Sequence, residues 1–124
     1  MLSLRLKQLA IAFVTLLVLD AIWISIRFKA YAAVTEKVQG SPMRAKMIPA
    51  LICYAFLALG LYLVLPNPTY AFLIGLVIYG VYNFTNLSLL KNYDAAVAVQ
   101  DTIWGGILFF SSISVALYIF PEKK

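Results

Sequence analysis

Four long apolar segments limit this chain to a small set of folds. They cover residues 9–26, 47–65, 70–90 and 95–120, and charges or prolines separate them. Each is roughly 18 to 26 residues long, enough to cross a hydrocarbon core of about 30 Å at about 1.5 Å per residue. Segments of this length without alternating polarity favour helices over barrel strands. The sequence therefore predicts an all-α fold, an integral membrane bundle of four transmembrane helices forming one multi-pass domain over residues 1–124.

Composition supports a membrane protein and excludes several kinds of site. Hydrophobic residues make up 64% of the 124 positions and charged residues only 12%. With one cysteine and no histidine, the chain has no disulfide framework and no Cys/His metal site, so we expect neither a metal nor a cofactor. Cys53 lies inside an apolar segment, where packing is its expected role. The net charge of +5 comes from Lys and Arg that flank the apolar segments. This placement indicates contact with the lipid bilayer, and no nucleic acid is expected.

The connections between segments fit a bundle with short turns. The turn PNPT at residues 66–69 stops a helix, and Asp94 in the turn KNYD is a good N-cap for the fourth helix. The connection over residues 27–46 has a weak amphipathic pattern and predicts a short interfacial helix between helices 1 and 2. Six basic residues on the side of this connection, against four at the termini, favour both termini outside.

Polar residues from different segments reach the same depth in the membrane. Asp20, Asn83 and Asp101 each lie seven or eight residues from the same end of the bundle, roughly 10 Å below one face at about 1.5 Å per residue. Tyr54 on the second segment arrives at a similar depth. On the third segment, polar residues at spacings of three, four and seven form one stripe, which should face neighbouring helices. The expected polar cavity is formed by Asp20, Tyr54, Tyr79, Tyr82, Asn83, Asn86, Asp101 and Trp104.

The two aspartates have a functional and a structural interpretation. A carboxylate at mid-membrane costs about 2.5 to 3.5 kcal/mol, so Asp20 and Asp101 should face the bundle interior, where two nearby carboxylates can share a proton. Intramembrane ionisable residues commonly mark functional sites. The alternative is that the Asp and Asn side chains only join helices by hydrogen bonds, while Trp and Tyr form an interfacial belt. We assign Trp23, which is nearer the surface, to such a belt.

The ordered set of these residues resembles a known family. It consists of Asp20-x-x-Trp23, Tyr31, Pro49-Ala50 with Tyr54, YGVYNFTNL at residues 79–87, Lys91 and Asp101-x-x-Trp104-Gly105. This set is similar to domain-of-unknown-function family 2177, whose members are small four-helix membrane proteins. The family is mostly bacterial, with relatives in large DNA viruses, which implies a cell membrane or a host membrane. It usually has aspartate where Asn83 stands, so Asp20 and Asp101 remain as the buried acids.

Three classes of function are compatible with these observations. The first is a small proton-linked carrier or channel, expected to be a homo-oligomer or to have a membrane partner because four helices leave little room for a pathway. The second is a lipid-binding or lipid-modifying protein in which Arg27 or Lys91 contacts a headgroup phosphate. The third is a structural or assembly subunit. The chain offers no nucleophile with a partnered base, so a protein without enzymatic activity is favoured and no catalytic residue is assigned.

Overall fold

Four helices account for nearly all of residues 2–123, the part of the chain that the computed structural model describes. They are α1 (Leu4–Gln39), α2 (Met47–Val64), α3 (Pro68–Leu89) and α4 (Ala95–Ile119). No strand occurs within residues 2–123, which confirms the all-α class. All four helices are long and apolar enough to cross a membrane, so this is a multi-pass membrane protein. Lys124, one of the basic residues counted for the orientation, lies outside the described residues.

The first helix is much longer than the sequence predicted. α1 continues without interruption for 36 residues, so the segment expected to form a separate interfacial helix is instead the C-terminal part of α1. No glycine or proline occurs between Leu4 and Gln39, and the change from apolar to amphipathic composition does not break a helical backbone. At about 1.5 Å per residue, α1 is longer than the hydrocarbon core is thick. It ends at Gly40, whose φ of 73° is left-handed and whose N–H bonds to the Glu36 carbonyl.

Side-chain caps define the starts of α3 and α4. Asn67 precedes Pro68, and its side-chain oxygen accepts a hydrogen bond of 3.0 Å from the Tyr70 backbone N–H. Asp94 accepts one of 3.0 Å from the Val97 N–H, which confirms it as the N-cap of α4. These caps satisfy backbone donors that have no partner within their own helix. Both turns therefore set the ends of neighbouring antiparallel helices.

Glycines allow α3 and α4 to pack with their backbones in contact. A methyl group added to Gly75 would collide with the carbonyl group of Gly105, and one added to Gly106 would come within 2.9 Å of the Phe72 ring. Small residues at a membrane helix interface permit such close approach. α4 also packs along α1, whereas α2 packs less extensively against its neighbours. α4 is therefore the central helix of the bundle.

The apolar core lies between the middle of the bundle and the end that carries the termini. Leu16, Leu61, Leu108, Phe109 and Ile113 are fully buried there. The outward faces of the helices expose large apolar side chains, among them Ile22, Phe56, Val81 and Phe110. In water such a surface would promote aggregation, but in a bilayer it contacts acyl chains. This distribution agrees with a membrane protein.

A group of polar side chains, the terminal network, closes the end of the bundle near the termini. Gln8 is fully buried, and its side-chain amide donates to the Phe120 carbonyl at 2.9 Å and to Glu122 at 3.2 Å. Arg5 donates to Gln8 at 2.8 Å and forms a 2.7 Å ion pair with Glu122. The hydrogen bonds from Gln8 and Arg5 lower the pKa of the Glu122 carboxyl below its ordinary value. This terminal network connects α1 to the residues that follow α4.

Candidate functional site

Asp20, on α1, is the first of two aspartates that lie within helices in the half of the bundle opposite the termini. It is only 7% exposed. One carboxylate oxygen accepts a 2.8 Å hydrogen bond from the Tyr54 hydroxyl on α2, and the other accepts a 3.3 Å hydrogen bond from the indole N–H of Trp104 on α4. Both oxygens are therefore satisfied by donors from other helices, which lowers the cost of burying this group.

Asp101, on α4, has a separate pair of donors. The Tyr31 hydroxyl on α1 donates to one oxygen at 2.6 Å, and the side-chain amide of Asn83 on α3 donates to the other at 2.7 Å. Asn83 is completely buried, and its amide nitrogen also donates to the Tyr79 carbonyl at 2.8 Å. No hydrogen bond joins Asp20 to Asp101 in the described residues, so the proton expected to be shared between them has no direct route.

Tyr93, in the turn between α3 and α4, completes the surroundings of Asn83. Its hydroxyl donates to the Asn83 carbonyl oxygen at 2.9 Å. A tyrosine hydroxyl is protonated and able to donate at neutral pH, and burial raises the pKa of Tyr93 further above its ordinary value. All three polar functions of the fully buried amide are thus engaged, and its orientation is fixed.

A stacked pair of tryptophans links the two aspartates. The rings of Trp23 and Trp104 have centroids 4.6 Å apart and planes only 7° from parallel. Trp104 donates to Asp20, while Trp23 donates at 2.6 Å to the same Tyr31 hydroxyl that bonds Asp101. Trp23 therefore belongs to this cluster and is not simply part of an interfacial belt. Two similar stretches of the sequence, DAIW at residues 20–23 and DTIW at residues 101–104, therefore meet at their tryptophans.

A cavity of about 530 Å³ borders this polar cluster. Its walls come from all four helices and from the connection between α1 and α2. The lining residues include Asp20, Trp23, Tyr31, Cys53, Tyr79, Tyr82, Tyr93 and Asp101, together with apolar side chains such as Phe28, Val34 and Met43. Cys53, expected to be packed, is exposed and lines this cavity. None of the described lining residues is basic.

Four other residues that the sequence assigned to a site differ in their position relative to this cavity. Tyr82 lines it but is 60% exposed, and half-buried Asn86 is not among its lining residues. Arg27 donates to Gln100, and its guanidinium carbon lies 5.8 Å from the centroid of the Trp23 ring. Lys91 is exposed in the turn after α3. Neither basic residue lines the cavity.

Three members of the cluster were not assigned to a site by sequence reasoning. Tyr31 lies in the part of α1 that was expected to be a separate helix. It follows Asp20 by eleven residues, a spacing that returns to the same helix face once α1 is continuous. Trp23 follows Asp20 at a spacing of three, which also places the two residues on the same face of α1. Tyr93 lies in a turn, where no helical periodicity could indicate its direction.

Comparisons with known proteins agree with this architecture. A model of the family described as "Predicted membrane protein (DUF2177)" matches residues 5–118. Comparisons with curated proteins and with solved structures give no significant match. The family match extends from the first turn of α1 almost to the end of α4 and includes every residue of the cluster around Asp20 and Asp101. The chain therefore belongs to the predicted membrane protein family DUF2177.

Proposed function

We propose that this protein is a small proton-linked carrier whose binding site is the cavity beside Asp20 and Asp101. The observation that carries the proposal is a half-open cavity of about 530 Å³, bordered by all four membrane helices, that has both carboxylates on its wall. Asp20 and Asp101 are the only acidic residues within the four apolar segments. Because a membrane carboxylate is costly and can exchange protons, its position on a cavity wall favours a transport role over a purely structural one.

A carrier is favoured over a channel because the bundle is closed beyond the cavity. Leu16, Leu108 and Phe109 are fully buried on the far side of the polar cluster. Further along, Gln8 and Glu122 join the termini. An open pore would need a polar path through this packed region, whereas a carrier opens its site to one face at a time. We propose a homo-oligomer or a complex with a membrane partner, since four helices provide few surfaces that can move against each other.

Lipid binding is the second candidate, and one observation favours it. The Nε atom of Arg27 is buried and has no hydrogen-bond partner in the described residues. An unsatisfied buried donor is costly, and a rotation of the half-buried Arg27 side chain would let a headgroup phosphate oxygen satisfy it. Arg27→Gln would then reduce the amount of anionic lipid that co-purifies, whereas Lys29→Gln, on the exposed side of α1, would not. Equal lipid content in both variants would reject this candidate.

Reconstitution tests the carrier proposal. Proteoliposomes that contain a trapped pH indicator would be exposed to cationic, neutral and anionic solutes, and at least one class should accelerate proton movement over protein-free vesicles. Asp20→Asn and Asp101→Asn should each abolish this solute-dependent movement. Glu36→Gln is the matched control, because it removes one exposed carboxylate from α1 that does not line the cavity. No solute-dependent movement, or equal movement in all three variants, would reject the proposal.

A further inference from the structure

We infer that the ligand of the cavity is a small organic ammonium ion. The inference rests on the proposed carrier function and specifies the class of solute that the site would take. It is carried by three properties of the cavity wall: two carboxylates without a basic partner, a high content of aromatic rings, and apolar side chains that suit an organic body.

Charge on the wall selects for a cation. Asp20 and Asp101 line the cavity, and no described lining residue is basic. The nearest basic side chain in the cluster is Arg27, which is engaged with Gln100 and with the Trp23 ring. In a low-dielectric site the attraction between a carboxylate and a cation is much stronger than in water, and an anion would be repelled. A site built for a neutral solute would not need two acidic side chains without a basic partner.

Aromatic and apolar groups distinguish an organic ammonium ion from a metal ion. A metal ion requires several oxygen or nitrogen ligands directed at one point, whereas the carboxylate oxygens of Asp20 and Asp101 are already bonded to separate donors. Ammonium groups with an organic body are recognised by aromatic rings and acids together. The aromatic side chains on this wall are Trp23, Phe28, Tyr31, Tyr79, Tyr82 and Tyr93.

The volume and the remaining wall agree with this ligand class. A cavity of about 530 Å³ falls within the range of about 300 to 1,000 Å³ that is typical of small-molecule sites. Ile24, Val34 and Met43 offer apolar contact for methyl, methylene or phenyl groups attached to the nitrogen. The structure thus provides both a charge to hold the nitrogen and an apolar surface to hold its substituents.

The chain contains natural reporters for the test. Its two tryptophans, Trp23 and Trp104, are stacked in the cluster, so intrinsic tryptophan fluorescence reports on this site alone. Its single cysteine, Cys53, lines the cavity, so the rate of thiol alkylation reports on access to the same space. Neither measurement requires a substitution, and both can be made on the full chain in detergent or nanodiscs.

The experiment compares three aromatic probes that differ in charge on the wild-type protein. Benzyltrimethylammonium should change tryptophan fluorescence saturably and slow the alkylation of Cys53. Neutral benzyl alcohol and anionic benzenesulfonate should bind at least about tenfold more weakly, since attraction of a desolvated cation to aromatic rings contributes on the order of one decade in affinity. Equal effects of the cation and the anion, or no saturable effect of benzyltrimethylammonium, would overturn the inference.

Variants then locate the charge that selects the cation. Asp20→Asn or Asp101→Asn should remove a coulombic attraction and weaken benzyltrimethylammonium binding by about tenfold or more, whereas Glu36→Gln should leave it unchanged. Weakening of the same size in Glu36→Gln would overturn the assignment to the cavity. The two proposals fail separately: binding without solute-dependent proton movement rejects only the carrier, while proton movement driven only by neutral or anionic solutes rejects only the ammonium ligand.

Discussion

Replacing Gly75 by alanine should destabilise the bundle more than any equally small change elsewhere on α3. The added methyl group would meet the backbone of α4, including the Gly106 Cα atom at 3.0 Å. Backbone atoms cannot rotate away as a side chain can, so α3 and α4 would have to separate. Overpacking of this kind costs about 1 to 3 kcal/mol.

Gly80→Ala is the matched control on the same helix. Its methyl group would lie 3.4 Å from the Thr102 methyl group, an ordinary contact distance. Both substitutions gain the same helix propensity, up to about 1 kcal/mol, so this contribution cancels when the two variants are compared. The free energy of unfolding of Gly75→Ala should therefore be lower than that of Gly80→Ala by about 1 to 3 kcal/mol.

Reversible unfolding in mixed detergent micelles, followed by far-ultraviolet circular dichroism, would measure this difference. Separation of α3 from α4 should also disturb the hydrogen bond between Asn83 and Asp101, so Gly75→Ala should change tryptophan fluorescence from the polar cluster while Gly80→Ala should not. Equal unfolding free energies of the two variants would refute the close packing of α3 against α4 as the origin of stability.

Three further predictions concern other parts of the molecule. Stacking of Trp23 on Trp104 should give an exciton couplet in far-ultraviolet circular dichroism that either single Trp→Phe substitution removes; a spectrum without a couplet in the wild type would contradict the stacked geometry. Asn83→Leu should lower the free energy of unfolding in detergent by about 1 to 3 kcal/mol for each buried partner left unsatisfied, and an unchanged value would contradict the network. Hydrogen bonds lower the folded-state pKa of Glu122, so its contribution to stability should be complete above its ordinary pKa of 4.5 and lost as the pH falls through the lower folded value. Glu122→Gln should remove this dependence of the thermal unfolding midpoint on acidic pH. Identical pH profiles for the wild type and the variant would contradict the role of Glu122.

Most of the fold follows from local features of the sequence. Prolines, polar turns and Asp94 placed the ends of α2, α3 and α4 within a few residues of those observed, because these residues interrupt or cap a helix wherever they occur. The end of α1 was missed for a physical reason. Hydropathy changes near residue 26, where the chain approaches the membrane surface, but a helix stops only where the backbone meets a residue such as Gly40.

The shared level of the site residues along the bundle could be predicted, whereas the rotation of the helices could not. Counting residues from the ends of segments placed Asp20, Asn83 and Asp101 at one level, and the structure brings their side chains into one cluster. Which side chain meets which depends on how α1 crosses α4 and on how far α1 extends. Stacking of Trp23 and the contact from Tyr31 arise from these long-range relations, which a pattern within one helix does not contain.

Coupled uptake of benzyltrimethylammonium is the most direct test of a proton-linked carrier of organic ammonium ions at Asp20 and Asp101. Proteoliposomes with an acidic interior should accumulate the labelled cation above its equilibrium level as protons leave, because protons and the cation compete for the same carboxylates. Nigericin, which dissipates the pH gradient, should abolish the accumulation, and so should Asp101→Asn, while Glu36→Gln should retain it. Accumulation no greater than in protein-free vesicles, or equal accumulation by Asp101→Asn, would contradict a carrier that exchanges protons for organic ammonium ions.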